Sequence, residues 1–165
     1  ALLSEGSFRD AHGVLEKVLS STPSTKLGAS KNKKITRAEV EKVSGAPKAG
    51  LVKDVLEAVV EKNLEKGLSA VHKASEANAD MKLFAKLILE RLRFFFLIRL
   101  KAGMDGYISS QISEDDFAYL KNLAGKAERD MTADVLLRFI TAYEDSGRTS
   151  IPELALELAL AETVK

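Results

Sequence analysis

The run LFAKLILERLRFFFLIRL, residues 83–100, limits the possible folds of this chain more than any other stretch. Laid out at about 100° per residue, Leu83, Phe84, Leu87, Ile88, Leu89, Leu92, Phe94, Phe95, Phe96, Leu97, Ile98 and Leu100 occupy far more than half of a helix circumference. A surface helix buries one stripe. This one needs cover on several sides, from its own bundle or from partner chains. It is not a membrane span, because Glu90, Arg91, Arg93 and Arg99 interrupt it and it is too short. Arg91 and Arg99 fall inside the apolar arc, where an unpaired charge is costly. Each is therefore expected to meet a carboxylate or to reach another molecule.

The remaining sequence also reads as helix after helix. Sustained two-residue alternation is missing, and the only prolines are Pro23, Pro47 and Pro152. Ser7 and Asp10 have capping-box spacing and predict a helix to about Ser20. After a Ser/Lys/Gly-rich loop over residues 21–34, Thr36 and Glu39 open a short helix ending near Gly45. Pro47 and Gly50 mark a boundary. Helices are predicted over residues 51–62, 64–77 and 80–102, after which MDGYISSQ breaks the chain. Ser113 with Asp116 caps the next helix, and another covers residues 131–146. The last starts at Ser150, with Pro152 in its first turn and Glu153 at its third position. The fold class is all-α.

A chain of 165 residues can bury a real core without staples. Lys and Arg total 25 against 24 Asp and Glu, so a net charge of +1 gives no general attraction to nucleic acid or membrane. The chain has no cysteine, which removes disulfides, thiol catalysis and Cys-rich zinc sites and fits a reducing cytoplasm. No basic segment followed by an apolar run marks a signal peptide. A start at Ala1 inside a helical pattern is expected of a segment cut from a longer protein.

Catalytic motifs are missing. The sequence contains no phosphate loop, dinucleotide fingerprint or nucleophile elbow. His12 and His72 lie far apart without ligand partners nearby, which predicts solvated or packed helix residues rather than a metal site. Glu114, Asp115 and Asp116 read as first-turn carboxylates complementing a helix dipole. Lys26, Lys31, Lys33 and Lys34 could touch a phosphate backbone, but without interleaved aromatics they read as a solvated loop.

One segment points to an anion. In SEGSFRDAHG, residues 4–13, Arg9 falls in a first helical turn behind the Ser7 cap, beside free backbone N–H groups and the positive end of the helix dipole. That suits the terminal phosphate of a nucleotide held elsewhere. EGSFRDAHGVLEKV resembles the GS-x-RDA sensor-2 segment of bacterial clamp-loader ATPases, the gamma/tau subunit of DNA polymerase III. KITRAEVEKVSGAP resembles the family's short lid helix. The run from LVKDVLEAVV to FFFLIRL and the ending ADVLLRFITAYEDSGRTSIPELALELALAE resemble its helical collar. The sequence departs from the family at His12 and Gly13, where an apolar residue usually follows.

The resemblance implies a partial lid over residues 1–47 and a collar of five to six helices over residues 48–165. It implies that Arg9 contacts the phosphate of an ATP–Mg held by a preceding ATPase domain, with Ser7 and Asp10 supporting the helix start. This fragment by itself is expected to hold no cofactor and to show no ATPase activity. Phe94, Phe95, Phe96, Leu97 and Leu100 are the expected interface residues. The implied partners are gamma/tau copies, delta and delta prime, and through the full assembly the sliding clamp and primed DNA. The collar of another AAA+ clamp-loader-like ATPase, or an unrelated helical adaptor, are the alternatives.

Overall fold

A computed structural model describes residues 8–21, 47–100, 103–128 and 131–164. The chain divides into two compact units, Ala1–Ala46 and Pro47–Lys165. All regular structure among the described residues is helical, in eight helices.

In the first unit α1 spans Phe8–Ser21. It ends one residue beyond the predicted limit, and the Ser7 cap lies outside the described residues. So do the short helix expected from Thr36 and Glu39 and the cluster Lys26, Lys31, Lys33 and Lys34.

The second unit holds α2 (Ala49–Val60), α3 (Leu64–Glu76), α4 (Met81–Arg99), α5 (Asp105–Gln111), α6 (Glu114–Lys126), α7 (Asp134–Asp145) and α8 (Leu154–Thr163). Helix α2 buries Leu51, Val52, Val55, Leu56, Val59 and Val60 at helical spacing. Its chain reverses at Lys62, whose φ of 52° is left-handed. Asn63 then caps α3, its side chain accepting a hydrogen bond from the Lys66 N–H at 3.0 Å. The two helices pack closely at Gly67. A Cβ there would lie 3.2 Å from that of Ala58 and 3.0 Å from a methyl of Leu160 on α8, so only glycine fits three helices together without displacement.

Asn78, with φ 53°, ends α3, and Asp80 caps α4 by accepting from the Leu83 N–H at 3.0 Å. Helix α4 is the centre of the bundle, with α2, α3, α6 and α7 packed around it. Phe84, Ile88, Leu92 and Phe95 are fully buried at helical spacing, and Phe94, Phe96 and Ile98 widen the buried arc. The rings of Phe95 and Phe96 meet edge to face, 5.2 Å between centroids and 87° between planes. The cover that the apolar circumference demands therefore comes largely from the same chain.

Several boundaries differ from expectation. MDGYISSQ does break the long helix but forms a short one of its own, giving the bundle seven helices rather than five or six. Ile108 is fully buried and holds it in place, while Ser109 and Ser110 turn their hydroxyls back to the carbonyls of Gly106 and Tyr107. Helix α7 starts at Asp134 rather than 131. Helix α8 starts at Leu154 rather than Ser150, because residues 150–153 form a turn with a Leu154 N–H to Ile151 carbonyl bond of 3.3 Å. Ser113 does cap α6, accepting from the Asp116 N–H at 3.2 Å. Gly147, with φ 97°, makes the reversal between α7 and α8, a conformation strained for any residue with a Cβ.

Candidate functional site

A polar network ties α2, α3, α4 and α6 together. Asp116, in the first turn of α6, lies 3.1 Å from Lys53 Nζ of α2 and 3.4 Å from Arg91 Nη2 of α4. One turn further along α6, the Tyr119 hydroxyl lies 3.2 Å from both the Lys53 carbonyl and Glu57 Oε1, and its ring sits 4.7 Å beneath Lys53 Nζ. Glu57 also binds Lys66 Nζ of α3 at 2.6 Å, and Lys66 reaches Glu61 at 3.2 Å.

The titration behaviour follows from this wiring. Burial opposes ionisation of Asp116, but the Lys53 hydrogen bond and the charges of Arg91 and Lys53 outweigh it and hold the carboxyl below its ordinary range. The Lys66 hydrogen bond likewise keeps Glu57 below its ordinary value, and the same bond raises Lys66. Burial and the neighbouring Glu57 charge push the Tyr119 phenol up, so it stays protonated. Each carboxylate of the network is matched by a cation, and no nucleophile stands beside a free base. The network fixes helices against one another and offers no acid–base chemistry.

Arg91 thus finds the carboxylate expected of it. Arg99 does not: its guanidinium donates to two backbone carbonyls, that of Met131 at 2.6 Å and that of Glu128. A planar fork suits two carbonyls as well as one carboxylate. Asp116, read from the sequence as a helix-dipole residue, is the junction of the network. The buried position of Arg91 signalled that such a partner exists but could not say which acid it is.

A cleft of about 190 Å³ is lined by the end of α2, by Glu128, Met131 and Thr132, and by α7 and α8, its charged residues being Lys62, Glu128, Asp134, Arg138 and Glu162. Lys62 pairs there with Glu128 at 2.6 Å and Arg138 with Glu162, while Asp134 accepts from the Thr132 hydroxyl at 3.0 Å. Among the described residues no group of His, Asp and Glu could hold a metal ion. His12 is exposed, and His72 sits 3.3 Å from Glu157. No described helix is long and apolar enough to cross a membrane.

Of the residues expected to carry function, Arg9 is exposed in the first turn of α1. Ser7 and the side chain of Asp10 lie outside the described part. The expected interface set divides. Phe94, Phe95 and Phe96 are in the core, which corrects their reading as contact residues: α2, α3, α6 and α7 leave them no outward face. Leu97 is half-buried and Leu100 is 71% exposed. Apolar side chains that the sequence reading passed over stand outward instead: Leu137 and Ile140 on α7, Ile151 before α8, and Leu158 on α8. Helix α8 is rich in leucine and alanine, with Ala155, Leu156, Ala159 and Leu160 turned inward. Its outward leucine was legible only once the inward face was known.

No individual curated protein matches the chain. The family model of DNA polymerase III subunits gamma and tau, domain III, matches residues 35–164, which take in every helix of the second unit. The all-helical architecture of the second unit is consistent with that match, and the chain belongs to the DNA polymerase III gamma and tau domain III family.

Proposed function

We propose that the chain is the assembling region of a clamp-loader subunit, its helical bundle joining the subunits of the complex that places a sliding clamp on primed DNA. The observation that carries this reading, beside the family match, is the set of large apolar side chains left outside an otherwise complete core: Leu100, Leu137, Ile140, Ile151 and Leu158. A bundle whose central helix is largely covered by its own chain has no internal use for them. The partners in this reading are other gamma/tau copies, delta and delta prime, in the cytoplasm. Size-exclusion chromatography with light scattering on the chain, alone and with the collars of delta and delta prime, should give a mixed complex of defined stoichiometry. A chain that stays monomeric and ignores both partners, even with the ATPase domains restored, overturns the reading.

Arg9 belongs to the same proposal. Its exposure in the first turn of α1, beside helix N–H groups that have no partner within the helix, suits contact with the terminal phosphate of ATP–Mg held by an ATPase domain. The protein's part is to bring a fixed positive charge to that phosphate. A charge-assisted hydrogen bond of this kind contributes about 1.5–3 kcal/mol. Arg9→Ala in the full-length protein is expected to weaken ATP-coupled clamp loading by roughly ten- to a hundredfold, and unchanged loading removes the assignment.

A further inference from the structure

Helix α1 has little packing to hold it. Of its side chains that the structure describes, only Val18 is buried. Phe8 is 94% exposed, Leu15 and Leu19 are half exposed, and Arg9, His12, Glu16 and Lys17 all face solvent. Most helices in proteins draw their stability from a packed face, and a helix of 14 residues without one is marginal in water. No basic residue stands in its last turn to answer the negative end of the dipole.

Gly13 lies near the middle of this helix. Glycine is required where φ is positive or where a neighbour leaves no room for a Cβ. Neither holds at Gly13: its φ is not positive, and a Cβ added to it meets nothing within 4 Å. Gly67 is the contrast, where Ala58 and Leu160 crowd the place of a Cβ. Alanine would fit at position 13, so the glycine lowers the helix–coil equilibrium of α1 about fivefold with no gain in packing.

We infer that Gly13 keeps α1 poised between helix and coil, so that contact of Arg9 with the terminal phosphate of ATP completes the helix. This rests on the role of Arg9 proposed above and adds a conformational step to it. The N–H groups of a first turn converge on an anion only when that turn is formed. A ligand that needs the turn therefore binds with an affinity reduced by the fraction of molecules in which it is formed. That reduction falls on ATP alone, because ADP lacks the phosphate that Arg9 touches. Gly13 is thus a positioning residue that acts on the nucleotide through Arg9. A weak helix also lets the first turn loosen once the terminal phosphate is gone.

Gly13→Ala tests this in two measurements. In the 165-residue chain, amide exchange across α1 should slow about three- to fivefold, with the unit Pro47–Lys165 unchanged. In the full-length protein, a non-hydrolysable ATP analogue should bind about three- to fivefold more tightly, and ADP as before. In an Arg9→Ala background the same substitution should leave binding of the analogue unaltered. Unchanged exchange in α1 means that the helix is already fully formed and overturns the inference. Analogue affinity that Gly13→Ala leaves alone, although Arg9→Ala weakens it, overturns the inference while the reading of Arg9 stands. If Arg9→Ala has no effect either, that reading falls and the inference with it. A gain that persists without Arg9, or that ADP shares, makes Gly13 a purely structural residue and overturns its positioning role.

Discussion

Phe95→Ala is expected to destabilise the helical bundle by about 3–5 kcal/mol, read as a lower urea midpoint with little change in slope. Phe95 is fully buried near the C-terminal end of α4, against the edge of Phe96 and among side chains of the helices packed around α4. Removing the ring loses its transfer from water and leaves a cavity that the surrounding aromatic and aliphatic groups fill only in part. The contrast is Leu100→Ala, five residues on and 71% exposed, where a change within about 0.5 kcal/mol is expected. Equal losses at the two positions would mean that α4 is not the centre of the bundle. The pair also separates stability from assembly, since only Leu100 stands outside the core.

Asp116→Ala should cost about 2–3 kcal/mol, because it leaves two cations facing each other without the carboxylate between them. The side chains of Asp116 and Arg91 are 22% and 24% exposed, so water offsets part of the penalty that full burial would impose. Adding Arg91→Met to an Asp116→Leu chain should recover part of the loss, since most of it comes from the orphaned guanidinium. No recovery in that double variant would show that Arg91 is not held by Asp116.

The same groups set the pH dependence. Asp116 and Glu57 are held below their ordinary values of 3.8 and 4.5, so each contributes stability above its unfolded value and loses it as pH falls through the folded one. Lys66 is raised above 10.5, so its contribution is complete below that and is lost as pH rises through the folded value. Stability should therefore be level through the neutral range and fall below about pH 4. The Asp116→Ala chain should show a shallower acid limb, measurable by urea titration at several pH values.

Particular residues show how far the sequence could be read. The helices of the bundle were visible because apolar spacing and caps act locally: Ser113 bonds the N–H three residues on, and Val55, Leu56 and Val59 share a face whatever lies opposite. The start of α8 was misplaced because Ser150, Pro152 and Glu153 have the chemistry of a helix opening, and whether the turn before it is helical depends on how α8 must lie against α3 and α7. Of the candidate site, the place of Arg9 in a first helical turn was legible because a helix start is a local feature. The phenylalanines at 94–96 were misread as contact residues because a helix apolar on several sides looks the same whether its neighbours come from its own chain or another.

The sequence by itself determined that this chain is all-helical, that residues 83–100 form a helix needing cover on several sides, that Arg91 needs a carboxylate, and that phosphate-loop chemistry is missing. All of these follow from periodicity, side-chain type and the cost of burying charge, which act over one or two turns. Only the tertiary structure decided that α2, α3, α6 and α7 supply that cover, that Asp116 serves Arg91 while backbone carbonyls serve Arg99, and that Leu100, Leu137, Ile140, Ile151 and Leu158 remain outside. These depend on which of several equally apolar faces meet, and that choice is made by shape and charge between residues 25 to 32 positions apart in the chain.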